Sequence, residues 1–185
     1  MNKFFGHLKT VARHRRLVIK HGKKAGIWFS CLFHDLSKYS PAEFWVGVKY
    51  YTGTKSPNEG ERLAKGYSAA WLHHKGRNRH HFEYWNDYNP QFKKVMPVKM
   101  PLKYCAEMFC DRLAASKVYQ GKNYTDSHPL EYFLRGKLRR DIHPETSEQL
   151  ELWLTILAEK GEEAAFKEIR RCLKEDKKNV KKRGG

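Results

Sequence analysis

The chain has 185 residues, ten of them histidine, and is 40% apolar and 14% aromatic. That is long enough to bury a core without disulfides, and too apolar for a disordered or collagen-like chain. Thirty-seven Lys and Arg against twenty Asp and Glu leave a net charge of +17, which suits an anionic partner such as a small phosphorylated substrate or nucleic acid.

The charge is uneven: residues 1–24 hold eight Lys and Arg and no acid, and residues 174–185 add a net +4. The longest apolar run, 26–33, includes Ser30 and is far short of the ~20 residues of a membrane span. No apolar stretch of secretory type follows the basic start. Cys31, Cys105, Cys110 and Cys172 form no C-x-x-C pair and are expected to be reduced, buried thiols of a cytoplasmic protein.

In chain order, a helix is predicted over 4–22, stopped by Gly22, then an apolar helix over 26–38. Ser40-Pro41-Ala42-Glu43 has the form of a helix start, with Ser as N-cap, Pro first and Glu in the first turn, for a helix reaching about 51. Residues 52–60 read as a loop. Helices follow over 60–74 and 80–88, with a basic loop between them. Pro97 and Pro101 bracket the entry to a helix over 101–119. A short helix is expected over 129–139, then one over 145–159, ended by Gly161, and a last one over 162–176. No convincing strand alternation is present. The prediction is one all-α domain over 1–176 and a basic tail, 177–185, without fixed structure.

Histidine carries the chemical signal. His7, His14 and His21 are spaced by seven, so they share one helical face with Val11 and Val18. They stand about 10.5 Å apart, so one metal can reach only one of them. His34-Asp35 closes the most apolar segment, where a carboxylate is costly unless paired or bound to metal. His73-His74 and His80-His81 flank Lys75-Gly76-Arg77-Asn78-Arg79. His74 extends a stripe of Leu63, Tyr67, Ala70 and Trp71, and His81 aligns with Tyr84 and Trp85. Asp111 interrupts a stripe of Tyr104, Met108, Ala114, Ala115 and Val118. Imidazoles and carboxylates on inward faces of several helices suit Mn, Fe, Zn or Ni, with positions left for water or substrate.

The order His, His-Asp, His, Asp resembles the HD-domain metal-dependent phosphohydrolase superfamily. The matching residues are His14 in His14-Arg15-Arg16-Leu17-Val18, His34-Asp35 in His34-Asp35-Leu36-Ser37-Lys38, and Asp111 in Cys110-Asp111-Arg112. The stretch from His34 to Phe44, with His73-His74 and Asn78 to Trp85, is also similar to a smaller bacterial and phage HD-like family without an assigned activity. The resemblance covers residues 7–120 and implies an HD-like helical bundle. It implies that His14, His34, Asp35 and Asp111 bind one metal and that Asp35 bridges to a second. His7 is the alternative to His14: it stands 27 residues before His34 rather than 20, but lacks the Arg and Val that follow His14. Inward faces select His74 and His81 for the second metal, with His73 and His80 in reserve.

The expected activity is a phosphohydrolase or phosphodiesterase with one or two divalent ions (Mn, Ni, Zn, Co or Fe). The metal lowers the pKa of a bound water to about 7, giving the nucleophile. By the resemblance, Lys38 contacts the phosphate. Lys75, Arg77 and Arg79 are candidates to hold a second phosphate group, and His80 or His73 to protonate the leaving oxygen. Two other classes stay open. One is an HD-like di-iron oxygenase. The other is a non-enzymatic basic module that binds nucleic acid through the termini and Trp71, Phe82, Tyr84 and Trp85.

Overall fold

The computed structural model describes residues 2–183. Among them are eight α-helices, four short 3-10 turns and one two-stranded hairpin. The chain is thus mainly helical, and no described helix is long and apolar enough to cross a membrane.

Helix α1 (Lys3–Ala25) starts where the Asn2 side chain accepts the Phe4 N–H. It does not stop at Gly22, as expected, but at Gly26, which takes the left-handed φ of 77° common after helices. Gly22 serves another purpose: a Cβ there would lie 2.4 Å from Cys31 Sγ. Its missing side chain lets α1 and α2 (Trp28–Leu32) approach closely.

The helix expected over 26–38 is broken. After α2 comes a 3-10 turn, Leu36–Tyr39, entered through Asp35 in the left-handed region at φ 55°. Few residues other than Gly adopt that conformation, and Asp is among those that tolerate it. Within 26–33 only Cys31 is buried; Trp28, Phe29, Leu32 and Phe33 face outward. The most apolar run of the chain is therefore surface, not core.

Helix α3 (Pro41–Lys49) begins at the expected Ser-Pro start, although the Ser40 side chain makes no cap hydrogen bond. The helix expected over 60–74 is two, α4 (Pro57–Lys65) and α5 (Ala69–Lys75). Gly66, at φ 80°, ends the first, and the Ser68 hydroxyl caps the second by accepting the Trp71 N–H. Buried Glu61 ties the junction by accepting from Ser68 Oγ and the Ala70 N–H. Leu63 and Tyr67, read as inward, are exposed in consequence, while Ala70 and His74 stay buried on α5.

The stretch 80–88 is not a helix. It holds a 3-10 turn, Phe82–Tyr84, and the first strand of a hairpin, β1 (Asn86–Asn89) and β2 (Lys94–Pro97). The pairing runs from Asn86↔Pro97 to Asn89↔Lys94. At the turn, Asn89 Oδ1 accepts the N–H groups of Gln91 and Phe92. Asx side chains compete with helix in this way and favour turns.

Helices α6 (Leu102–Gln120), α7 (His128–Arg135) and α8 (Pro144–Arg183) complete the fold. Gly161 interrupts α8 with φ 78° and ψ 176°, the break the sequence predicts. The helix continues through 177–183, which was expected to lack structure; 184 and 185 lie outside the described residues. Arg171 pairs with Glu168 and Glu175 along that helix, a spacing that supports helix.

The core forms where α6 packs against α1 and α8. Val18, Phe109, Leu113, Trp153, Leu157 and Ile169 are fully enclosed, each stabilising the fold by about 1.5–3 kcal/mol. From Cys105 to Cys110, α6 is buried on all sides. Cys31 and Cys105 are buried as well, Cys172 is half-buried, and all four thiols are free.

Candidate metal centre

Four segments bring their polar residues to one place: α1, the turn after α2, α5 with the loop behind it, and α6. His14 is the middle member of the α1 stripe and faces α6. Its Nε2 lies 3.0 Å from Asp111 Oδ1, 3.3 Å from His34 Nε2 and 3.5 Å from Asp35 Oδ2. His34 Nε2 lies 3.4 Å from the same Asp35 oxygen and 3.5 Å from the same Asp111 oxygen. Donors about 2.1 Å from one ion stand about 3.0–3.5 Å from their neighbours, so this spacing fits a metal.

A second set shares Asp35. Its other oxygen, Oδ1, lies 3.2 Å from His74 Nε2 and 3.4 Å from His80 Nε2. His81 Nε2 is 2.9 Å from His74 Nε2. Asp35, His74, His80 and His81 offer one donor atom each, all within 4.8 Å of one another. Asp35 therefore stands between two donor sets with one oxygen toward each. The left-handed backbone at Asp35 turns the carboxylate away from the course of a continuing helix, a strain that a functional residue can carry.

The carboxylate of Asp35 is fully buried, and neither oxygen makes a hydrogen bond of ordinary geometry; His80 Nε2 is likewise without one. Lys38 Nζ lies 2.5 Å from Asp35 Oδ2. Burial favours the neutral acid, yet His34, Lys38 and His74 outweigh it and hold Asp35 well below the usual carboxylate range. Asp111 behaves alike: burial opposes its charge, and His14 and His34 restore it. His81 is held neutral by burial and by His80 and His74, which leaves it a lone pair to offer. Buried carboxylates kept charged, with both Asp35 oxygens and His80 Nε2 lacking a hydrogen-bond partner, form a set that a divalent cation would satisfy.

Two glutamates orient the imidazoles from behind. Glu107 Oε1 lies 3.1 Å from His34 Nδ1 and 3.4 Å from His80 Nδ1, and its Oε2 accepts from Ser30 Oγ at 2.6 Å. Glu43 takes His74 Nδ1 at 2.8 Å and His73 Nδ1 at 2.7 Å. With a carboxylate at Nδ1, His34, His80 and His74 turn Nε2 forward, the arrangement common to metal-binding histidines. Burial opposes the charge of Glu43 and Glu107, but hydrogen bonds from these histidines prevail and lower both pKa values.

The expected site residues separate clearly. His14, His34, Asp35 and Asp111 come together, and so do His74 and His81. His7 does not join them: it packs against Gly47, whose added Cβ would stand 2.1 Å from its ring, and beside Phe44 and Tyr51. His21 stacks on Phe166 and contacts Cys110 O. His73 is spent on Glu43. His80, expected as a free proton donor, instead faces Asp35 and Glu107 through its two ring nitrogens and belongs to the second set.

Lys38 stands at the site, partly open to solvent. Arg77 and Arg79, expected near the substrate, are exposed. Along 77–80 exposed and buried residues alternate, so Asn78 and His80 turn inward and the arginines turn out. Arg77 donates to His73 O, and Arg79 to the Tyr104 hydroxyl. Lys75 is half-buried within charge range of Glu83, not among the donor sets. Sequence reasoning missed Glu107 and Glu43. Glu107 precedes Asp111 by one helical turn on the same face of α6, a signal that was legible. Glu43 was masked by its role as a first-turn helix residue.

Residues 3–156 match the model of a family described as a family of unknown function, DUF5662, and the chain belongs to that family. No curated protein and no solved structure matches it.

Proposed function

We propose that this member of a family of unknown function is a metal-dependent phosphohydrolase with an HD-like helical bundle. Its substrate would be a phosphorylated anion, a nucleotide or a related ester. The observation that carries the reading is Asp35: buried, charged, and turned with one oxygen to each of two histidine-rich donor sets. His14, His34, Asp35 and Asp111 would hold one ion, and Asp35, His74, His80 and His81 a second. A divalent metal there would supply a water of lowered pKa and offset charge on phosphoryl oxygen.

The chain's own groups complete the chemistry. Lys38 is the cation at the open side of the site. Burial opposes its charge, but Asp35 and Asp111 keep it protonated, ready for a phosphoryl oxygen. Burial keeps the Tyr119 phenol protonated, within charge range of Lys38 and Asp111. Glu107 and Glu43 orient His34, His80 and His74 with Nε2 toward the donor sets.

The test is the metal content of untagged protein purified without chelator, beside Asp35→Ala, with hydrolysis of phosphomonoester and phosphodiester probes. One or two Mn, Ni, Zn or Co per chain, lost in the variant together with hydrolysis, is the expected result. Two irons per chain with oxygen uptake would move the assignment to a di-iron oxygenase, a reading favoured by the three imidazoles of the second set. No metal after reconstitution would refute both and leave the basic binding module.

A further inference from the structure

On α1, the face opposite the histidines carries Lys9, Arg13, Arg16, Lys20 and Lys23, all exposed. They fall inside an arc of about 80° and follow one another every ~4.5–6 Å along ~21 Å of helix. No acid precedes Asp35 in the chain. Among the described residues none of these five forms an ion pair; only Lys24, at the end of the row, does so, with Glu162.

The row runs into a groove of about 600 Å³ that begins at Ala25 and Gly26. One wall is aromatic: Trp28, Phe29 and Phe33, all exposed. They meet edge to face, Trp28 on Phe29 at 5.8 Å and Phe29 on Phe33 at 5.6 Å. The other wall is basic, with Lys103, Arg170, Lys174 and Lys177, and the lining holds no carboxylate. Arg170 donates to Lys24 O, which joins this wall to the end of the α1 row.

We propose that the α1 row and this groove form one binding track for single-stranded nucleic acid, with phosphates on the cations and bases on the aromatic wall. Basic residues that follow a backbone beside side chains free to stack on bases are what single strands require. A duplex keeps its bases stacked inside and has no use for the aromatic wall. A lipid surface is met by a protruding apolar patch, whereas these rings line a concavity. Ser30, which lines the groove, donates to Glu107 behind the two donor sets. The track itself stands independently of the metal chemistry.

The test is fluorescence anisotropy with the full chain in chelator, which prevents cleavage and separates this proposal from the phosphohydrolase reading. The probe is a labelled oligothymidylate of about 20 nucleotides, enough to span the track. Phosphate contacts by the five α1 cations alone predict a log–log salt slope of about −3.5, and contacts by the groove wall make it steeper, between roughly 50 and 200 mM salt. The triple substitution Trp28→Ala, Phe29→Ala, Phe33→Ala should weaken binding at least about tenfold with the slope kept. The triple substitution Arg13→Gln, Arg16→Gln, Lys20→Gln should flatten the slope by about 2. These sites are exposed, and melting curves of both variants should match the parent. Binding unchanged by the aromatic substitutions would overturn the proposal. So would duplex or inorganic polyphosphate competing as well as the oligonucleotide, or anionic phosphatidylserine vesicles binding in its place.

Discussion

Glu107 is the residue whose removal tests the proposed metal centre most sharply. It binds no metal in the proposed scheme, yet one of its oxygens serves His34 of the first donor set and His80 of the second. Glu107→Ala leaves two buried imidazole N–H groups and the Ser30 hydroxyl without their acceptor. Each such orphan costs about 1–3 kcal/mol, and the imidazoles lose the bond that sets their tautomer and angle. Loss of an outer partner of this kind weakens metal binding by about 10–100-fold, or about 1.4–2.8 kcal/mol. Glu107→Gln keeps one acceptor oxygen for the imidazoles, while its amide can donate to Ser30. It should cost less than about tenfold. The assay is calorimetric titration of Mn or Zn into chelator-stripped protein, with melting curves to show that each variant folds. Both sites should weaken together, because one carboxylate touches both sets. Wild-type affinity in both variants, or a loss confined to one site, would mean that Glu107 does not support both donor sets.

Gly22→Ala should destabilise the protein by about 1–3 kcal/mol, because the new Cβ meets the buried Cys31 Sγ at 2.4 Å and its Cβ at 2.8 Å. Adding Cys31→Ala should recover part of that loss in urea unfolding, and no recovery would mean that another contact sets the cost. His7 is buried, and burial, with Lys38 second, lowers its pKa from 6.5 to about 4. Its folded value lies below the unfolded one, so its contribution is fully present above pH 6.5 and is lost as pH falls toward 4. Between about pH 7.5 and 5 the loss is about 2 kcal/mol. His7→Gln should be insensitive over that range by comparison, and a variant with the wild-type pH slope would show that His7 is not the titrating group.

The legible part of the site is the part with period and order. Seven-residue spacing places His14 on an inward face whatever its neighbours do, and a carboxylate amid the apolar stripe of α6 marks Asp111. His74 illustrates a sound conclusion on a faulty premise: the long helix that pointed it inward is two helices. It remains buried because Ala70 lies one turn earlier on α5. What stayed hidden depends on breaks in helices. A left-handed Asp35, a Gly66 stop and the Asn89 turn each redirect the chain at one residue, and apolar periodicity does not register single residues. The arginines of the 76–79 loop were misjudged for the same reason. The stretch after α5 is a run of hydrogen-bonded turns, and the inward turn of Asn78 and His80 leaves Arg77 and Arg79 outside.

A mainly helical chain, a strongly basic character and an uncommon supply of histidines beside carboxylates are all readable from the order of residues. These follow from composition and from the 3.6-residue period, both local properties. Which oxygens and nitrogens meet is a matter of packing: Asp35 between two donor sets, Glu107 behind both, and the apolar run of α2 on the surface. Such outcomes depend on contacts between residues as far apart as His14 and Asp111. Those distances are set by how α1 and α6 pack, which no local pattern encodes.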